Sequence, residues 1–307
     1  AEQVYRALKY LNERPDGKIV IAAWILTHDH RDHSGAIEEM AEKFASEITV
    51  EQIILNNDPD TFMWRHKNAP YGYSYGTYGV FDKIEQVADQ FGEDCKVVVA
   101  HMGQNMKIRN AEVEILTVGA EDLYPVLTRN DNSRSMAFRV SYPALEDSGK
   151  SQSTLILGDV TLDNTYHTFF PLMIDELYGD IVQVAHHGLG GQTSRFYPVF
   201  RGVDVALWPT DMKTIDANGL MGGNNSYLQE FDPLNVICDE YIMTFNLPFD
   251  KDNDEVMRTK VGTFKTEIED IEMDITLLPA FRFQGQWGAK KDVIVDYLKE
   301  YTADVLV

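Results

Sequence analysis

Five of the eight histidines in this 307-residue chain fall into two short runs, His28, His30 and His33 in the first and His186 with His187 in the second. Neutral imidazole is a preferred ligand of divalent transition metals, so histidines crowded in this way point first to metal chemistry. The first run reads Thr27-His28-Asp29-His30-Arg31-Asp32-His33 and follows the apolar segment IVIAAWIL. Alternate side chains of an extended segment share a face, so His28 and His30 can grip one ion. Asp32 and His33 come where the chain bends toward the next element, within reach of a second ion at the separation that two-metal hydrolases use. By composition alone a His-x-His-x-Asp-His match arises in roughly one chain of this length in a few thousand, which sets aside an accidental histidine-rich turn.

This run resembles the central signature of the metallo-β-lactamase superfamily, and the resemblance continues along the chain. Asn130-Asp131-Asn132-Ser133, then Leu155-Ile156-Leu157-Gly158-Asp159, then Val184-Ala185-His186-His187-Gly188 follow in the order of one branch. That branch holds the hydrolase domain of competence DNA-uptake channels and the phosphorylcholine esterases. The resemblance spans about Ala22 to Pro248 and is far more specific for fold and metal than for substrate. It implies an α/β fold, the αββα sandwich, and two divalent ions, zinc or manganese, held by His28, His30, Asp32, His33, Asp159 and a histidine of the pair His186 and His187. Asp159 bridges the ions in this scheme, and Asp32, Asp159 and His187 lie nearest the reaction, in which the ions activate a water and clamp the electrophile. Asn132, Ser133 and Gly188 fall where substrate is expected, with Gly190 and Gly191 allowing backbone N–H groups to approach an anion. On a strand His186 and His187 face opposite ways, so one is expected to ligate and the other to contact the leaving group or support the site; which does which is left open.

Two departures from the family pattern stand out. Many members carry a further metal-binding histidine shortly before the bridging aspartate, and here that stretch is Asn130-Asp131-Asn132-Ser133. A lactamase or lactonase reading is thereby weakened, and the phosphoesterase branch, which also lacks that histidine, is favoured. The usual first strand pair, ending in Asp-Gly-Gly, is not in the given sequence, whether lost or simply not given; a protein truly without it is expected to have an uncovered sheet edge.

The elements that must position these residues are legible in the hydrophobic pattern. AEQVYRALKYLNE has helical spacing, a Pro-Asp-Gly turn follows, and IVIAAWIL reads as one buried strand. Helical spacing returns over 35–44, EQIILNN reads as a short strand, and a helix is expected over 81–92. KVVVAH, AEVEILTV, SMAFRVSY, STLILGD, DIVQVAHH and VDVALWP read as strands, an order that suits a layered sandwich better than a doubly wound sheet. Between them, 58–80 forms a Tyr- and Gly-rich stretch, either a surface excursion or an aromatic substrate rim. A hydrolase domain is expected over 1–248, closed by the strand EYIMTFNLPF, with a C-terminal extension over 249–307 that includes the helix KKDVIVDYLKEY and the run ADVLV.

Of the other histidines, His66 and His167 have no ligand spacing, while His101 ends a strand and either faces the pocket or sits at the surface. Cys95 and Cys238 are too few for a thiolate metal cluster or a disulfide framework, although one bridge is possible. The net charge of -22 repels polyanions unless a local basic patch overrides it, and Arg129, Arg134, Arg139 and Arg195 are the nearest candidates. The expected reaction is hydrolysis of a small, lipid- or wall-derived phosphoester or phosphodiester. A nuclease acting on single-stranded DNA, a lactamase or lactonase, and a metal-binding module without catalysis are the alternatives. No stretch reaches the roughly 18 to 20 apolar residues of a membrane helix. A sequence beginning at Ala1 is compatible with a cytoplasmic protein or a secreted one whose leader has been removed.

Overall fold

The computed structural model describes residues 1–12, 14–56, 79–119, 132–143, 151–188 and 196–209, together with the backbone of strands at 240–244, 263–266, 271–274 and 280–284. The Tyr-rich stretch up to residue 78, His66, Arg129, Asn130, Asp131, Gly190, Gly191, Arg195, Cys238 and the expected helix and run near the C-terminus lie outside the described residues.

The first layer is helical. Helix α1 (Glu2–Leu11), α2 (Arg31–Phe44) and α3 (Ile84–Phe91) pack against two small parallel sheets. One joins β1 (Ile19–Ile21) to β3 (Ile48–Val50), and the other joins β2 (Trp24–Leu26) to β4 (Gln52–Leu55) to β5 (Lys96–Val99). In β4 alternate side chains serve opposite faces: Ile53 and Leu55 join Ile37, Met40, Val87 and Phe91 beneath the helices, while Ile54 points the other way. Tyr5 of α1 stacks flat on Phe44 of α2, their ring centroids 4.0 Å apart, which ties the first helix to the end of the second.

The opposing sheet is built from β6 (Asn105–Ile108), β7 (Ala111–Val118), β8 (Met136–Tyr142), β9 (Gln152–Ile156), β10 (Ile181–Gln183), β11 (Val205–Pro209), β12 (Glu240–Thr244) and β15 (Ala280–Gln284), while β13 (Thr263–Thr266) and β14 (Ile271–Asp274) pair with each other. Its eight strands lie in the order β15-β12-β11-β10-β9-β8-β7-β6. Strands β9 to β12 run parallel, and antiparallel pairs flank them on both sides. Val113, Ile115, Met136 and Phe138 turn inward to meet Ile54, forming the core between the sheets. Arg139 and Leu155, paired across β8 and β9, turn outward. There Arg139 donates to the Glu176 carbonyl at 2.8 Å and lies 3.6 Å from the Tyr178 ring centroid, so the short helical turns over 162–176 cover the outer face. Helices, sheet, sheet and helical turns make the layered α/β sandwich expected.

Several local expectations are corrected. IVIAAWIL is two strands, broken at Ala22 and Ala23, because its partner also breaks: Glu51 separates β3 from β4 and donates its N–H to the Ile21 carbonyl at 2.9 Å. Both chains bend together, at residues of low strand propensity. Helix α2 starts at Arg31 rather than Gly35, so Asp32 and His33 stand on its first turn, where a carboxylate suits the positive end of the helix dipole. EYIMTFNLPF does not close the sheet, since β15 pairs antiparallel beyond β12. The short strand β6, too polar to show in the hydrophobic pattern, is folded back onto β7 through Arg109, whose φ is 59°. No described helix is long and apolar enough to cross a membrane.

Cys95 is a free thiol packed against the helix-covered core. Burial, aided by the Asp89 charge, pushes it up to about 11. The thiolate is the reactive form, so in a Cys238→Ser background alkylation at pH 8 should run about 100-fold slower than for an ordinary thiol and rise about tenfold per pH unit until about pH 11. Ile54 is fully buried between the sheets. Its replacement by Ala should lower the urea-measured unfolding free energy by about 2–5 kcal/mol.

Candidate metal centre

Three strand ends supply the residues of interest. His28 and His30 leave the C-terminal end of β2, Asp159 follows β9, and His186 with His187 follow β10. Because β9, β10 and β11 are parallel, their carboxyl ends share one edge of the sheet, the edge where open α/β sheets bind ligands. Asp32 and His33 arrive from the first turn of α2.

Two groups of potential ligand atoms result, His28 with His30 and Asp159, and Asp32 with His33 and His187, the atoms of each group lying within 4.8 Å of one another. Asp159 joins the two. One carboxylate oxygen lies 3.6 Å from His28 Nε2, and the other lies 3.2 Å from His33 Nε2 and 3.6 Å from His187 Nε2. His187 Nε2 is also 3.0 Å from His33 Nε2 and 3.3 Å from the Asp32 carboxylate. The donors are imidazole nitrogens and carboxylate oxygens, the set that zinc and manganese accept. His28 Nε2 is buried without a hydrogen-bond partner, which is costly unless a cation takes the lone pair. The residues present therefore fit a pair of divalent ions.

The ionisation of these groups reflects their crowding. Burial, with the neighbouring His33 charge, holds His28 well below the ordinary imidazole value. Burial raises the Asp159 carboxyl, but the His33 hydrogen bond and the charges of His33, His28 and His187 outweigh it and leave the group far below the usual carboxylate range. Burial would likewise depress His187, yet Asp32, the Asp159 charge and the Pro209 carbonyl lift it to about 9. The hydrogen bond from His187 draws Asp32 down to about 2.

His186 and His187 do not occupy a strand. Strand β10 ends at Gln183, and both histidines are left-handed, with φ of 51° and 53°. Such a turn lets adjacent side chains point the same way, and both reach Asp159, at 4.0 and 3.6 Å. The conformation costs of order 1–3 kcal/mol per residue. It is held by His186 N–H donating to the Gly158 carbonyl at 3.0 Å, and by His187 Nδ1 against the Pro209 carbonyl at 2.8 Å. A carbonyl can only accept, so His187 carries a proton on Nδ1. His186 Nε2 meets the Asn132 side-chain amide at 3.0 Å, which places Asn132 at the rim. Ser133 and Gly188 are buried and present little surface to a ligand. His101 is exposed and His167 stands exposed on an outer helical turn, and neither belongs to the two ligand groups.

Residues absent from the sequence reading hold this edge together. Gln183 accepts the N–H groups of Leu157 and Gly158 at 2.9 and 2.8 Å and donates to the Gly158 and Val184 carbonyls, stitching the turn before Asp159 to the strand before His186. Asn56 and Asn164 donate to the Arg134 and Ser133 carbonyls at 2.6 and 3.0 Å, clamping the turn beside Asn132. Asp29 accepts from Ser34, Val80 and Phe81 at 2.7–3.1 Å and so fastens residues 79–81 to the histidine run. Nothing in residue type marks these polar side chains, since their partners are distant in sequence.

No family model matches the sequence, and no curated protein matches it. Solved structures show slight overall likeness. A mutant of the β-hydroxylase CmlA is 17% identical, with TM-score 0.33, over 73% of this chain and 36% of that one. The long form of RNase Z from yeast is 12% identical, with TM-score 0.31, over 60% and 32%. Zinc-bound PqqB from Methylobacterium extorquens is 10% identical, with TM-score 0.25, over 61% and 56%. The matched region thus spans about a third to just over half of those chains.

Gly158 has φ of 55°, and a Cβ there would lie 3.0 Å from the Thr27 Cβ and 3.3 Å from the Ser135 Cβ. Gly158→Ala should therefore destabilise the metal-free protein by about 1–3 kcal/mol and weaken zinc binding measured by chelator competition.

Proposed function

We propose that this chain is a binuclear metal-dependent hydrolase acting on a small phosphoester or phosphodiester. The observation that carries the reading is the buried Asp159 carboxylate, whose two oxygens face the two histidine groups separately, as a bridging ligand must. His28, His30, Asp32, His33, Asp159 and His187 would hold two ions, zinc or manganese. When bound, such ions lower the pKa of a coordinated water and polarise a phosphoryl oxygen.

The chain's own residues orient and exclude. Asp159 keeps the two halves of the site at a fixed separation, and the Pro209 carbonyl fixes the His187 ring with Nε2 directed inward. His186, partly exposed and placed by Asn132, is the group proposed to deliver a proton to the leaving oxygen. Asn132 at the rim, with Ser133 and Gly188 behind it, is proposed to orient substrate. The residues proposed for the hydrolase domain are 1–248, with 249–307 as an extension that contributes β15 to the sheet.

Two of the four candidate arginines, Arg134 and Arg139, favour a small substrate over nucleic acid. Arg134 and Arg139 are buried, and Arg139 is spent on Glu114 and Glu176, so neither forms a basic stripe beside the site.

Purified protein should contain about two metal equivalents. Chelation should abolish cleavage of a generic phosphodiester, and zinc or manganese should restore it. Asp159→Ala should remove the shared ligand and cost at least about 100-fold in rate. An unchanged rate in that variant, or cleavage of lactams or lactones alone, would overturn the reading.

A further inference from the structure

Three segments distant in sequence meet behind the His28 ring. Its Nδ1 lies 3.1 Å from Thr27 Oγ1 and 3.2 Å from Ser135 Oγ. The same Ser135 oxygen accepts the Asp159 backbone N–H at 3.0 Å. Ser135 is fully buried at the end of the turn that precedes β8, and its own N–H donates to the Asn132 carbonyl at 2.9 Å. The next residue, Met136, donates its N–H to the Thr27 carbonyl at 2.9 Å, locking the start of β8 to the histidine run. Gly158 closes over the pair, and a Cβ there would press on both Thr27 and Ser135.

We propose that Ser135 is a positioning residue for the metal pair: a single hydroxyl holds the His28 ring by Nδ1 and the Asp159 backbone, so that a terminal ligand and the bridging ligand keep a fixed relation. The inference rests on the hydrolase reading above and names what keeps its two ligand groups in register. A serine oxygen has two lone pairs, one already taken by the Asp159 N–H. The other is free to accept a proton from His28 Nδ1. A ring that donates through Nδ1 presents a bare lone pair at Nε2, the nitrogen that faces Asp159 and is buried without a hydrogen-bond partner. Thr27 can also accept from Nδ1, but it reaches only the ring. Ser135 alone of the two couples His28 to Asp159.

The test uses the full chain and zinc alone. In the zinc-loaded wild type, nitrogen-15 spectra of the histidine rings should place the His28 proton on Nδ1, and a proton on Nε2 overturns the proposal whether or not any variant folds. Ser135→Ala should weaken zinc binding, measured by competition with a chromophoric chelator, by about 10–100-fold. Thr27→Ala should weaken it less. A Ser135→Ala protein that melts lower without metal yet binds zinc as tightly as wild type would show a structural role only and overturn the proposal. So would a Thr27→Ala loss larger than that of Ser135→Ala. Wild-type protein that takes up no zinc or manganese sinks the hydrolase reading itself, whereas normal wild-type uptake with an unaffected Ser135→Ala sinks only the assignment of Ser135.

Discussion

Removing a carboxylate from water costs several kcal/mol unless positive charge and hydrogen bonds replace the lost hydration. Asp159 is 2% exposed and stays ionised, because His28, His33 and His187 converge on it from the ends of different elements. That requirement explains why the site lies on a strand edge. Parallel strands β9, β10 and β11 end together, so residues just past those ends are brought close by the register of the sheet. Without a cation, the raised value of His187 is the compensation the imidazoles themselves provide, a proton standing in for the missing charge. With two cations the same geometry becomes a ligand set, and the imidazole protons that face the centre must leave.

Holding so many polar groups at short range calls for support that cannot relax. Two consecutive left-handed histidines would unwind if the chain around them were free. Gln183 and the Gly158 carbonyl secure the backbone before them, while Tyr197 accepts the Ala185 N–H at 3.1 Å from a buried aromatic cluster that includes Phe169, Phe196 and Phe200. On the other side, Asp29 ties the histidine run to residues 79–81, where a Cβ on Gly79 would collide with Ser34 and Asp29. The candidate metal edge is therefore braced on both flanks by side chains outside the two ligand groups.

How much of this was legible in the sequence follows from how local each feature is. The run from His28 to His33 is readable because strand alternation and the following turn are short-range properties, and the structure gathers its three histidines and Asp32 around Asp159. The layered fold is readable from the alternation of apolar periods. By contrast, assigning His186 and His187 to opposite faces assumed a strand, and the strand stops three residues earlier because Gln183 turns its amide back onto the neighbouring loop. Ser135, Asn56 and Asn164 were invisible for a related reason. A serine or asparagine acquires its role only from partners that folding delivers, and no spacing rule connects Ser135 to His28 across 107 positions. Arg134 and Arg139 were readable as charges but not as buried ones, and burial decides whether they can meet a substrate.

Charge balance then links the site to its substrate. The chain carries a net charge of -22, and a long polyanion approaching it meets that field over its whole length. The proposed centre has the opposite sign at close range, since two carboxylates, Asp32 and Asp159, face two divalent cations and leave it net positive. At physiological ionic strength such a local excess is felt over about 8 Å and little further. The whole of the proposed small phosphoester would lie within that distance. An extended nucleic acid would carry most of its phosphates beyond it, where the chain's net charge opposes them, and Arg134 and Arg139 are folded inside rather than set out to receive them. In the proposed reading, the net negative charge that weakens a nuclease leaves a small anion free to be held by the metal pair.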